Sequence, residues 1–161
     1  WVSGCTQESV PNGKDEAKEI TREIGAEEKQ RMGLYIAAMK AALQEENGGD
    51  NFVAIKLETL EGLSDQAKEE VMKAFTGLAP HVYDFANIKN DNTKFRFDDE
   101  GRKIRTIDGA LLWVEIEEHS EDKAIITGVS WFGNLGAVFP KYEATYENGI
   151  WHLRQISMAV S

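Results

Sequence analysis

The chain has one cysteine, three prolines and three histidines in 161 residues, and it has no long apolar run. Each scarcity excludes something. One thiol cannot close an internal disulfide. A chain of this length buries roughly 70% of its unfolded surface on folding, so its core needs neither a disulfide nor a metal. No stretch of ~18 apolar residues is present, so nothing in the sequence reads as a membrane-spanning helix. Basic residues are few, 18 against 28 acidic ones, for a formal charge of −10. They form no stripe, and this disfavours nucleic acid as a partner, because phosphate neutralisation dominates such binding. A Gly-x-Ser-x-Gly elbow is missing too, so a nucleophilic hydrolase has little support. What is present is a globular composition, 42% hydrophobic and 9% aromatic.

The one cysteine, Cys5, ends the run Val2-Ser3-Gly4-Cys5. An aliphatic residue, a small residue, glycine and then cysteine resembles the bacterial lipobox, whose cysteine receives diacylglycerol. That resemblance implies a signal peptide upstream, a lipid on Cys5 and a location on the extracytoplasmic face of a bacterial cell membrane. Thr6 to Lys14 is polar with Pro11 and Gly13, as a tether would be. Asp15–Ile24 carries only Ile20 and Ile24 as large apolar residues, at one helical spacing. Residues 1–25 are therefore expected to be lipobox and tether, and residues 26–161 a single α+β domain.

Within that domain, Met32, Tyr35, Ile36, Met39 and Leu43 recur at helical spacing from Ala26 onward. They read as a core face, and Asn47-Gly48-Gly49 stops the helix. Alternation from Phe52 to Leu60 predicts a strand. Ser64 caps a second helix with stripe Ala67, Val71, Ala74 or Phe75, and Leu78, ended by Gly77 and Pro80. His81–Ile88 reads as an aromatic connector. Short strands follow at Lys94–Phe97 and Arg102–Ile107, with Asp108-Gly109 as a hairpin signal. The stretch from Ala110 to Met158 then contains four β-rich runs separated by turns at Ser120–Lys123, Gly133–Gly136 and Glu147–Gly149. This is the pattern of a curved antiparallel meander, packed against the N-terminal helices. In its last run Trp151 and Leu153 share one parity while Ile156 and Met158 share the other, so a bulge is expected near Arg154–Gln155.

Helices, a strand, another helix and a long meander ending in Tyr146-Glu-Asn-Gly-Ile-Trp-His-Leu: this order resembles the nuclear-transport-factor-2-like, or ketosteroid-isomerase-like, domains. The resemblance covers roughly Ala26 to Ser161 and implies a cone-like sheet with a pocket at its open end. Joined to the lipobox, it resembles the small lipoproteins of Gram-positive bacteria. Enzymes of that superfamily use a pocket Asp or His base with a Tyr or protonated Asp donor, an arrangement that depends on pKa values shifted by the pocket. No residue here aligns onto those positions.

Several constellations invite chemistry. His119 follows Glu115, Glu117 and Glu118, and on a strand it shares one face with Glu115 and Glu117 while Glu118 faces the other way, but without thiolates the run reads as a solvated strand end rather than a zinc site. The Asn90–Asn92 and Asp98–Gly101 runs lack the calcium-loop pattern and read as turns. Gly133-Asn-Leu-Gly136 lacks the lysine and helix of a phosphate loop. No metal or cofactor is expected. His81, Tyr83, Asp108, Trp113, Trp131, Tyr142 and His152 are rings or polar tips that suit an apolar ligand pocket, or alternatively complete the core and its rim. The leading reading is a non-enzymatic, lipid-anchored binding module for a small apolar ligand, a peptide or an envelope protein. The alternative is an isomerase- or dehydratase-type enzyme with a pocket His or Asp.

Overall fold

The structure is a computed structural model describing residues 24–161. The Cys5 site, and all of the Asp15–Ile24 segment except its last residue, lie outside the described residues. The fold is mixed α+β, with three α-helices and one open sheet of eight strands among the described residues.

The first helix, α1 (Ala26–Glu45), buries Leu34, Tyr35, Ala38, Met39, Ala42 and Leu43 on one side. Its partners are the long strands β5 (Gly109–His119), β6 (Lys123–Gly133), β7 (Gly136–Glu147) and β8 (Ile150–Val160). On these, Leu112, Val114, Ile126, Ala144 and Trp151 face the helix and are buried. Each fully buried side chain of this size contributes roughly 1.5–3 kcal/mol of burial. Both ends of α1 are pinned. The Trp151 indole Nε1–H donates to the Gln30 carbonyl at 2.8 Å, and the Ser130 hydroxyl donates to the Glu46 carbonyl at 2.8 Å. Between them, the Tyr35 hydroxyl donates to the Glu61 carbonyl at 2.5 Å.

The second helix, α2 (Asp65–Lys73), starts where Ser64 predicts it. The Ser64 hydroxyl accepts from Ala67 N–H at 3.2 Å, and Ser64 N–H donates to Glu28 of α1 at 2.6 Å. The helix links β1 (Phe52–Ile55) to β2 (His81–Asp84), and β1 runs parallel both to β2 and to β5. The sheet is therefore mixed rather than wholly antiparallel. A crossover helix between neighbouring strands brings the chain back in the same direction. The connector expected at His81–Ile88 is this edge strand plus a one-turn helix, α3 (Phe85–Ile88).

The hairpin expected at Asp108-Gly109 does not form. Strands β3 (Phe95–Phe97) and β4 (Lys103–Thr106) pair with each other, and β4 then meets β6 at one position, Arg105 with Gly133. The edge of β5 that β4 would need is occupied by β1. Asp108 instead turns the chain at φ +62°.

The other turns agree with the sequence. Asn148 and Gly149, both at positive φ, close the β7–β8 hairpin, as a two-residue turn matched to strand twist requires. In β8 Gln155 pairs with Tyr142 and Ser157 with Lys141, so Ile156 is the extra residue of the expected bulge. A second bulge falls in β5: Ile116 pairs with Ile126 and Glu118 with Ile125, leaving Glu117 unpaired.

Tyr142 sits on the helix-facing side of β7, 5% exposed. Burial, with Glu45 nearby, pushes its hydroxyl up to about 12. An unfolded tyrosine ionises near pH 10. Above that pH the unfolded chain loses a proton that the folded chain retains, so stability falls from about pH 10 to about pH 12, by ~2 kcal/mol in all. Denaturation midpoints across the alkaline range are expected to decline less in Tyr142→Phe than in the parent. Tyr35, also raised by burial, leaves a residual decline.

Candidate binding face

Side chains alternate across a strand, so the register assigns each candidate residue to a face. Leu112, Val114 and Val53 point toward α1, and Leu111, Trp113 and Phe52 point away. Phe52 pairs with His81 and Ala54 with Tyr83, which places both β2 rings on the side away from α1. Trp131 and Trp113 pack against the same apolar cluster there. His152 opposes Thr145 on that face too, but across β6 and β7, and is exposed. Tyr142 lies in the core on the other face. Asp108 is in the β4–β5 turn and is exposed.

The structure thus brings His81, Tyr83, Trp113 and Trp131 together on one part of one face, with His152 farther along that face and Asp108 and Tyr142 off it. The space between α1 and the sheet is occupied by the core itself. Of the seven residues, Asp108 borders a surface groove of about 510 Å³ beside Thr76–Pro80.

The face away from α1 has its own small core. Phe52, Ala54, Ile88, Phe95 and Leu111 are buried, with Tyr83, Phe85, Phe97, Trp113 and Trp131 half-buried around them. Phe95 meets Phe52 edge-on at 6.0 Å and Phe85 edge-on at 5.8 Å, favourable geometries for aromatic quadrupoles. Phe52 packs on Tyr83 at 6.0 Å, and His81 stacks on Tyr83 at 5.9 Å.

Three lysines lie over these rings. Lys56 Nζ is 4.1 Å from the Trp113 ring centre and 5.5 Å from that of Phe85. Lys103 Nζ is 4.7 Å from Phe95, 4.7 Å from Phe97 and 5.2 Å from Phe85, and donates to the Lys89 carbonyl at 2.7 Å. Lys94 Nζ is 5.3 Å from Tyr83. Such contacts contribute ~0.5–1 kcal/mol each where partly solvated. Burial lowers the Lys56 ammonium below the usual lysine range, against the pull of Glu58 and Glu115. Burial also lowers Lys103, and the charges of Lys56 and Lys89 lower it further. Neither Lys56 nor Lys103 takes part in an ion pair among the described residues.

His119 is displaced from its expected neighbours. The Glu117 bulge reverses parity, so His119 pairs with Ala124 and turns to α1's side, away from Glu115. It borders a polar groove of about 530 Å³ with Glu27, Gln30 and Arg31. Partial burial there, and then Arg31, lower its pKa, with Glu27 opposing. A neighbouring apolar groove of about 540 Å³ runs between α1 and the β7–β8 turn, past Gly33, Ile36, Tyr146, Ile150 and Trp151. Among the described residues no group of three or more His, Cys, Asp or Glu is placed to hold a metal, and no helix is long and apolar enough to cross a membrane.

Comparison of the chain with protein-family models, curated proteins and solved structures finds no match.

Proposed function

We propose that this chain is a non-catalytic recognition module, held by a lipid on Cys5 at the extracytoplasmic face of a bacterial membrane, and that it binds a protein or peptide partner through the aromatic–lysine face. The observation that supports this most is a contrast between the two sides of the sheet. One side is filled by α1, whereas the other leaves five aromatic rings half-buried, three of which, Phe85, Phe97 and Trp113, lie under the Lys56 and Lys103 ammonium groups, which form no ion pair among the described residues. Aromatic residues are enriched where proteins meet partners, and a contiguous apolar patch on a soluble domain marks such a site.

The same reading takes the sheet as curved about α1, in the manner of a nuclear-transport-factor-2-like cone. Register shifts in the β5–β6, β6–β7 and β7–β8 pairs support it, because bulges bend and twist the strands that carry them. An isomerase-type enzyme would need an imidazole or carboxylate facing a donor inside a concave cavity. His81 and His152 are exposed and Tyr142 is in the core, an arrangement that favours the binding reading.

Two measurements test the proposal. Cys5→Ala is expected to abolish palmitate labelling and to move the protein out of the membrane fraction; unchanged fractionation overturns the anchor. A photo-crosslinking residue at Trp131 is expected to give a defined adduct in cells, and one at Leu135, which is 94% exposed, is expected to give none. Equal yields at the two positions overturn the binding face.

A further inference from the structure

We infer that the Lys56–Phe85–Lys103 cluster receives carboxylates from an extended acidic segment of a partner protein. The inference rests on the binding-face reading and adds the chemistry of the partner. Two ammonium groups bear on a single ring in a chain whose formal charge is −10. Carboxylates are abundant in this chain, yet none forms an ion pair with either group among the described residues. Their mutual repulsion is a cost that an incoming anion would relieve. Partial burial depresses the basicity of both lysines, opposed at Lys56 by Glu58 and Glu115 and reinforced at Lys103 by Lys56 and Lys89.

The geometry points to an extended chain. Phe85 directly follows β2, which hydrogen-bonds to β1 on one side and to no other strand among the described residues. His81 and Tyr83 are spaced two residues apart along that edge and Phe85 opens the helical turn that follows it, with Lys94 over Tyr83 and Lys56 and Lys103 over Phe85. A strand lying beside β2 presents alternate side chains to the same face. Acidic positions then meet the ammonium groups, and apolar positions between them meet the rings. An anionic bilayer fits less well: a surface carrying −10 is repelled by an extended plane of like charge within roughly a Debye length, ~8 Å. A short acidic segment meets only the local patch.

The test titrates full-length protein with a peptide of alternating Glu and Val, read by Trp fluorescence and by backbone amide shifts at residues 81–85. Saturable binding is expected, weakened about tenfold or more in Lys56→Gln/Lys103→Gln and by raised salt. The same peptide with Gln for Glu, a change that leaves the protein untouched, is expected to lose binding to the parent. Equal binding of the Glu and Gln peptides, or no binding of either, overturns the acidic-segment assignment. If phosphatidylglycerol–phosphatidylcholine vesicles shift the tryptophan emission while the peptide does not, the assignment falls and the binding face stands. The binding face falls separately, through equal crosslinking from Trp131 and Leu135.

Discussion

Replacing Gly128 by alanine is expected to lower the unfolding free energy by about 3 kcal/mol or more, the upper range of overpacking costs. Gly128 lies inside β6, opposite Val114, under the middle of α1. A Cβ at this position would sit 2.2 Å from the Ala38 carbonyl oxygen and 2.7 Å from its carbonyl carbon. Those atoms are helix main chain, so no rotamer change relieves the contact. Nor can the helix slide, because Trp151, Ser130 and Tyr35 each hold it or its flanks by a hydrogen bond. A glycine within a strand costs conformational entropy and is expected where another backbone approaches closely.

A companion substitution makes the result diagnostic. Ala38→Gly removes a methyl group and leaves the carbonyl in place, so it is expected not to rescue Gly128→Ala. Urea denaturation of the parent, both single variants and the double variant supplies the comparison. A loss below about 1 kcal/mol for Gly128→Ala, or rescue by Ala38→Gly, would mean that α1 does not rest on this point of the sheet.

The parts of the fold legible in the sequence are those governed by local rules. Asn148-Gly149 announces a turn because both residues must adopt positive φ. Ser64 announces a helix start because its hydroxyl satisfies a free N–H. The change of parity between Leu153 and Met158 announces a bulge, expected near Arg154–Gln155 and found one residue on at Ile156, which is itself left exposed. What could not be read depends on distant pairing. The four residues of β1 are all buried, so alternation carries no face information there. Only its parallel pairing with β2 and β5 shows that His81, Tyr83 and Trp113 share a side. The Glu117 bulge has no apolar residue after it to betray the shift, so His119 read as a neighbour of Glu115. The lysines over the rings, finally, come from three separate loops and short strands, and no spacing in the sequence connects them.

Phe95→Ala is expected to separate the two layers of this molecule energetically. Phe95 is fully buried and joins Phe52, Phe85 and Lys103 in one contact set. Truncating such a ring removes about 3–5 kcal/mol from the structure it supports. That structure is local, because β3 and β4 are paired to the rest of the sheet only at Arg105 and Gly133. The main-chain bond from Asn134 N–H to Ile104 O, 3.0 Å, reinforces that junction, whereas Ile107 N–H to Lys94 O, 2.8 Å, closes the β3–β4 hairpin itself. Amide exchange is therefore expected to accelerate throughout β3 and β4 while β5–β8 and α1 keep their protection. Lys103 loses its platform with the hairpin, so acidic-peptide binding should fall with it, although Lys56 and Trp113 remain in place. Retained protection in β3–β4, or uniform loss across the sheet, would show that the small aromatic core is not what holds the hairpin down. Loosened β3–β4 amides with undiminished peptide binding would instead remove Lys103 from the binding face.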